Sequence, residues 1–233
     1  MPPASSPVTI RGYELGPFAT NTYTVELAGY QGIWIVDPSF DVGEVINAVK
    51  RSGKTPELIL LTHAHIDHIA GINDVLDAFG NLPIAIHRDE AHWLQDPRAN
   101  LSAISGRATT ARKAPDQLLA EGDTLTLGPA ESGATFKVLH TPGHSPGSAS
   151  FYLASTLHLP LIAPLLISGD VLFAGSIGRT DFPGGGMPML AHSIRTKLYT
   201  LPDSTRVFPG HGPPTSIGRE KSGNPYVSGE VSR

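Results

Sequence analysis

The chain has 233 residues, of which 40% are hydrophobic and 16% charged, with a formal net charge of −4. That balance excludes a disordered chain and a coiled coil, and it leaves no broad basic field for nucleic acid or an acidic membrane surface. The absence of cysteine excludes disulfides, thiolate catalysis, iron–sulfur clusters and cysteine-bound zinc, and it fits a reducing compartment.

Residues 1–7 read as a loose Pro/Ser tail. The Met1–Ile10 segment has neither the basic start nor the apolar stretch of a signal peptide, so a cytoplasmic location is expected. Asn21 to Leu27 and Gly32 to Asp37 read as two strands of a hairpin. Val42, Val45, Ile46 and Val49 recur at helical spacing, with Gly53 where a C-cap falls. Leu58 to Leu61 is a short apolar strand, followed by a polar loop, Thr62 to His68. Ile69, Ile72, Val75, Leu76 and Phe79 form a second helical stripe closed by Gly80, and Pro83 to Ile86 is another strand. Asp96 to Asp116 reads as loops and short helix.

A second half begins near Gly122. Asp123 to Leu127, Thr135 to His140, Ser148 to Leu153, Leu165 to Ser168 and Arg206 to Phe208 read as strands. Leu190, Ile194 and Leu198 suggest a helix from about Met189 to Tyr199. Leu157 to Pro164 reads as a loop; the apolar run to Ile167 holds His158, Pro160 and Pro164 and is too short to span a membrane. The expected organisation is one unit of two similar halves, about 8–115 and 116–217, with a weakly ordered tail over 218–233. Alternating strands and helices favour a layered α/β fold.

The strongest local signal is Thr62-His63-Ala64-His65-Ile66-Asp67-His68, directly after an apolar strand. If the segment is extended, His63, His65 and Asp67 point the same way, and His68 turns onto a neighbouring position as a helix begins. One ion cannot easily take all four groups from so short a stretch, whereas two adjacent ions can. Three further strand ends carry a matching residue beside turn formers: His144 in Thr141-Pro142-Gly143-His144, Asp170 after Ser168-Gly169, and His211 in Pro209-Gly210-His211-Gly212-Pro213. Strand ends are where open α/β sheets place ligand sites.

These seven residues resemble the signature of the metallo-β-lactamase-fold hydrolases, His-x-His-x-Asp-His followed in order by a lone His, a lone Asp and a last His. The resemblance runs from about Tyr13 to Pro225. Gly169 to Phe182, Pro209 to Pro213, and Ser216 to Glu220 with Asn224-Pro225 make the chain similar to the glyoxalase II-like group, hydrolases of glutathione thioesters, and most of all to its short bacterial forms without the C-terminal helical domain. The resemblance implies a four-layer αββα sandwich. It implies that His63, His65 and His144 bind one divalent metal, that Asp67, His68 and His211 bind a second, and that Asp170 bridges them, with Asp67 and Asp170 at the catalytic centre. Ligands of this kind suit zinc or iron, with manganese as a further option. Arg179 is expected to contact the carboxylate of a glutathione-type thiol.

Three functions follow as expectations. The first is hydrolysis of a small thioester such as S-lactoylglutathione, with no nucleic-acid or membrane partner. The second is a persulfide dioxygenase with a single iron on His63, His144 and Asp170, and the third is a non-catalytic metal-binding module. Asp37 reads as a turn former before Pro38, His140 as a structural residue or a support for a ligand, and His87, His92, His158 and His192 as surface residues. Arg219 and Lys221 read as solvated, and Asp181 either contacts substrate or supports Arg179.

Overall fold

The structure is a computed structural model that describes residues 7–157 and 159–228. The first sheet runs β1 (Val8–Leu15), β2 (Thr20–Leu27), β3 (Gly32–Val36), β4 (Thr55–Leu60), β5 (Ile84–His87) and β6 (Gln117–Leu119), hydrogen-bonded in that order. β1 to β3 form an antiparallel meander, and β3 to β6 are parallel. The second sheet contains β7 (Thr124–Leu127), β8 (Ala134–His140), β9 (Ala149–Leu153) and β10 (Leu165–Gly169), then, after a small separate hairpin of β11 (Leu172–Phe173) and β12 (Ser176–Ile177), β13 (Arg206–Pro209) and β14 (Thr215–Ser216). Its spatial order is β14-β13-β10-β9-β8-β7.

Helices α1 (Gly43–Ser52), α2 (Ile66–Ile69) and α3 (Ile72–Phe79) belong to the first half. Helix α4 (Met187–Ser193), which continues into a π-helical turn over Ile194–Leu198, and α5 (Ile217–Gly223) belong to the second. Strand alternation sorts the apolar side chains into three cores. Trp34, Val36, Leu58 and Leu60 face Phe136, Val138, Phe151 and Ile167 between the sheets. Ile33, Ile35, Ile59 and Leu61 face the other way, onto Val45, Val49, Ile72 and Val75 of α1 and α3. Leu139, Leu166 and Val207 pack on Leu190, Ile194, Leu198 and Ile217. Helix, sheet, sheet and helix are thus the four layers of an αββα sandwich.

Several expectations shift. β1 carries Thr9, Arg11 and Glu14 outward on an edge, so its sequence lacks an apolar run. The chain changes sheet between Leu119 and Thr124, past the division expected near 116, because β6 adds to β5. The segment after Gly218 is not weakly ordered where described: α5 is docked by buried Ile217, and the buried Glu220 carboxylate accepts from Gly175 N, Thr215 Oγ1 and Asn224 Nδ2. The expectations for residues 1–6, His158 and residues 229–233 fall outside the described residues.

His87 is also not a surface residue. It ends β5, is 3% exposed, and stacks on His140 at the end of β8 with ring centroids 4.0 Å apart. Burial, then the neighbouring His140, pushes its pKa down to about 4. The unfolded chain therefore binds the extra proton first as the pH falls. The stabilisation is present above the ordinary histidine pKa of about 6.5 and is lost from there towards pH 4. Denaturant titrations should show the wild type losing about 2 kcal/mol more than His87→Phe between about pH 7 and pH 5.

Candidate metal centre

The seven residues singled out in the sequence converge at one end of the sandwich. His63 and His65 follow β4, Asp67 and His68 lie in α2, His144 follows β8, Asp170 follows β10, and His211 follows β13. The helix begins at Ile66, inside the segment expected to be a loop, so the turn of α2 rather than strand alternation sets Asp67 and His68. Three sets have ligand atoms within 4.8 Å of one another: His63, His65 and His144; Asp67, His68 and His211; and His63, His68 and Asp170.

The imidazole tautomers are set by oxygens outside the centre. His63 Nδ1 donates to Thr62 Oγ1 at 3.1 Å, His68 Nδ1 to Asp37 Oδ2 at 3.0 Å, His144 Nδ1 to the Arg179 carbonyl at 2.8 Å and His211 Nδ1 to the Phe18 carbonyl at 3.1 Å. The Nε2 atom of each is thereby turned inward. His65 is reversed, with Nδ1 2.8 Å from His144 Nε2, and its ring packs beside Trp93.

The inward atoms fit a metal ion better than they fit each other. His63 Nε2, His68 Nε2 and Asp170 Oδ1 are buried without a hydrogen-bond partner. Asp67 Oδ2 lies 3.4 Å from His68 Nε2 and 3.2 Å from His211 Nε2. Asp170 Oδ1 lies 3.3 Å from His68 Nε2, and its Oδ2 lies 3.3 Å from His211 Nε2 and 3.6 Å from His144 Nε2. Two ligand atoms on one tetrahedral ion stand roughly 3.3–3.6 Å apart, given bonds of about 2.0–2.2 Å. A nitrogen- and carboxylate-only donor set of this kind is suited to zinc, iron or manganese.

Charge divides the set. Burial, then the neighbouring histidines, holds His63 well below its ordinary pKa and His65 down to about 3, so those rings are neutral. Burial alone would raise Asp67 and Asp170, but the charge of the neighbouring His68 and the close approach of His211 hold both well below the usual carboxylate range. Burial opposes a charge on His211, yet its bonds to Asp170 and Asp67 lift its pKa to about 10.

Two supporting carboxylates were not recognised from sequence. Asp37 is a support for the centre rather than only a turn former. At φ +49° it turns back so that Oδ1 accepts from Thr62 N at 2.8 Å and Oδ2 accepts from Thr62 Oγ1 at 2.6 Å and from His68. Its position at the end of a buried strand was the available signal. Glu90 is fully buried and accepts from Ala64 N and from Gly147 N, each at 2.6 Å, clasping the loops that carry His63, His65 and His144. Nothing in its sequence context marks it.

The approach of β13 to Asp170 requires glycine: a Cβ at Gly210 would collide with Asp170 Oδ1. Arg179 lies at the mouth, its guanidinium 4.3 Å over the Phe182 ring and bonded to Asp181 at 3.0 and 2.7 Å, so Asp181 supports it. Arg219 and Lys221 are exposed as expected. His87, Asp89 and His140 form another cluster of ligand types, but the two rings lie nearly parallel, and one ion cannot sit in the plane of both. Among the described residues no helix is long and apolar enough to cross a membrane.

Removing the Asp37 carboxylate frees the His68 ring while leaving every candidate ligand residue present. Asp37→Ala should weaken metal binding at the Asp67, His68, His211 set about 10- to 100-fold in a chelator competition titration. An unchanged affinity would show that Asp37 does not orient His68.

The family profile of the metallo-β-lactamase superfamily matches residues 15–211. The chain is 39% identical to "Probable metallo-hydrolase YqgX" of Bacillus subtilis, covering 94% of this chain and 97% of that one. It is 34% identical to the hydroxyacylglutathione hydrolase GloC of Haemophilus influenzae, covering 83% and 86%. Among solved structures, BLEG-1, described as a B3 metallo-β-lactamase, is 43% identical with a TM-score of 0.84, covering 95% of this chain and all (100%) of that one. TTHA1623 in a di-iron-bound form is 35% identical with a TM-score of 0.76, covering 93% and 99%. ETHE1 from Myxococcus xanthus is 27% identical with a TM-score of 0.72, covering 96% and 86%. The match of both the family profile and these near full-length relatives, on a sandwich whose strand ends gather the His/Asp set, places the chain in the metallo-β-lactamase superfamily as a metal-dependent hydrolase.

Proposed function

We propose that the protein hydrolyses a small thioester, such as an S-acylglutathione, at a centre of two divalent ions. The observation that carries this reading is the placement of Asp170 between the two triads, with Oδ2 3.6 Å from His144 Nε2 and 3.3 Å from His211 Nε2. In this reading His63, His65 and His144 would hold one ion, Asp67, His68 and His211 would hold the other, and Asp170, lying against both sets, would serve both. Zinc or iron suits the ligands, manganese less so, and the likeness to a di-iron-bound structure supports iron. When bound, such ions supply hydroxide at neutral pH and polarise the substrate carbonyl.

The chain's own groups supply the rest. Asp67 and Asp170, both ionised, are the carboxylates positioned to hold the protons of the attacking water. Thr20 Oγ1 donates to Asp67 Oδ2 at 2.9 Å and fixes that carboxylate. A leaving thiol has a pKa near 8.5, so it departs as thiolate and needs no strong general acid. Arg179, held out by Asp181 and Phe182, is the proposed partner for a carboxylate of the thiol. The likeness to GloC supports a glutathione-type thiol, and a reducing cytoplasm is the setting in which such thiols persist.

Two other readings are separable. A persulfide dioxygenase with one iron would leave Asp67, His68 and His211 idle. Hydrolysis of a β-lactam amide is favoured by the likeness to BLEG-1.

Elemental analysis of protein purified without chelator should give about two metal equivalents per chain, and Asp170→Asn should lose metal together with nearly all thioester turnover. Full turnover in that variant overturns the reading. His211→Ala should cost several orders of magnitude in hydrolysis; retained activity with one iron and oxygen uptake from a persulfide would point to the dioxygenase, and turnover of a chromogenic cephalosporin in preference to thioesters to the lactamase. Arg179→Ala should raise KM for a glutathione ester more than it lowers kcat, as loss of uniform binding does.

A further inference from the structure

The cavity over the centre has a volume of about 490 Å³, and its walls differ from its floor. Phe18, Leu101, Ile104, Phe173, Ile177 and Phe182 line it. Apart from the His/Asp set, Arg179, the group proposed to take the thiol's carboxylate, is the one charged lining side chain among the described residues. Phe182 packs edge-on against His65 and His144 with centroids 5.1 and 5.8 Å apart, and Phe173 packs against His211 at 6.0 Å. Both triads are therefore flanked by apolar surface.

Two features show that this wall is built. Ile104 is 80% exposed and Phe18 49% exposed, although both face the cavity. Apolar surface left in water at the mouth of a site marks a place for an apolar ligand group. The second feature is backbone strain. Leu101 has φ +66°, a conformation that costs a non-glycine residue on the order of 1–3 kcal/mol and must be held by its surroundings. The holder is the buried Asn100. Its side chain donates to the Trp93 and Thr109 carbonyls, both at 3.0 Å, and its backbone carbonyl accepts from Ile66 N at 2.9 Å, between His65 and Asp67. The apolar lip is thus fastened to the segment that carries the candidate ligands.

We infer that this cavity is an acyl subsite selecting an apolar acyl chain, with Leu101, Ile104 and Phe18 setting the preference. The inference rests on the thioesterase reading and specifies its acyl class. A hydroxyl on the acyl group, as in a lactoyl ester, finds only Ser105 and Ser176 among the lining hydroxyls, and Ser105 already donates to the Ser102 carbonyl at 2.8 Å; away from those two, a polar group desolvated against the apolar wall is disfavoured.

The test uses the metal-loaded full chain and the S-acetyl, S-butanoyl, S-hexanoyl, S-octanoyl and S-lactoyl esters of glutathione. The expected kcat/KM rises about threefold to fourfold per methylene until the cavity is filled, with the lactoyl ester below the butanoyl. Ile104→Ser, and Leu101→Asn, whose asparagine accepts the left-handed backbone, should lower the octanoyl-to-acetyl ratio at least about tenfold. Calorimetric binding of acetate, butanoate, hexanoate and octanoate to the same protein should show the same chain-length slope without turnover. A flat or falling turnover series with the lactoyl ester preferred overturns the inference and leaves the thioesterase reading intact. If no thioester is turned over while carboxylate affinity climbs with chain length, the thioesterase reading fails and the apolar selectivity of the cavity stands. A slope unaltered in both variants overturns the assignment to those side chains.

Discussion

The two oxygens of Asp37 accept from the Thr62 amide, the Thr62 hydroxyl and His68 Nδ1, and everything in the centre is built outward from that contact. A buried carboxylate is tolerated only when its lone pairs are met by donors. Here three donors come from the end of β4 and the start of α2, so the carboxylate fixes both at once. Because Thr62 Oγ1 donates to Asp37, it accepts from His63 and sets that ring as well. The Thr22 hydroxyl in turn donates to the Asp37 carbonyl at 2.7 Å and accepts from Ser39 N at 3.0 Å, locking the left-handed turn from the neighbouring strand. The precision of the ligand atoms is inherited from the first sheet through hydrogen bonds with one way of being satisfied.

The second sheet must then arrive in register. His144, Asp170 and His211 all come from it, so the centre exists only where the two halves meet. Glu90 spans that seam, reaching Ala64 on one side and Gly147 on the other, and burial raises its pKa. Asn21 Nδ2 and Tyr23 OH both donate to the Pro209 carbonyl, at 2.9 and 2.6 Å, holding the loop of His211 against β2. Such groups touch no reacting atom. They convert the packing of two sheets into distances between ligands, and the collision awaiting a Cβ at Gly210 shows how little slack that leaves.

The legible parts of the sequence were those whose signal is local. Four of the seven candidate ligands lie within six positions of the chain, the other three follow strands beside glycine, and order with spacing sufficed to group them. The strands of the central core were legible because their apolar residues alternate or run together. β1 was not, since an edge strand can face water with Thr9, Arg11 and Glu14 and needs only its partner's hydrogen bonds. β6, of three residues, is a strand only because β5 lies beside it. Asp37 looked like a turn former because Asp-Pro is one locally; its partners are 25 and 31 residues away. The docking of α5 likewise depends on Gly175, far from Glu220 in the chain. What failed was in each case a long-range partnership that composition and period do not encode.

The same distinction separates chemistry from specificity. The His/Asp set sits on strand ends, where the sheets hold it regardless of what the loops do, and a shared ligand set is compatible with many substrates. The cavity wall comes from loops and short turns: Phe18 between β1 and β2, Leu101 and Ile104 beyond β5, and Phe173 to Phe182 after β10. An apolar wall around a charged floor also serves the reaction, because low-dielectric surroundings that exclude water strengthen the field of the carboxylates and histidines beneath. Under the proposed function Leu101 and Ile104 would therefore act on one site in two ways, through the acyl group they would admit and the water they would displace, and the strain held at Leu101 is the structural cost of placing them there.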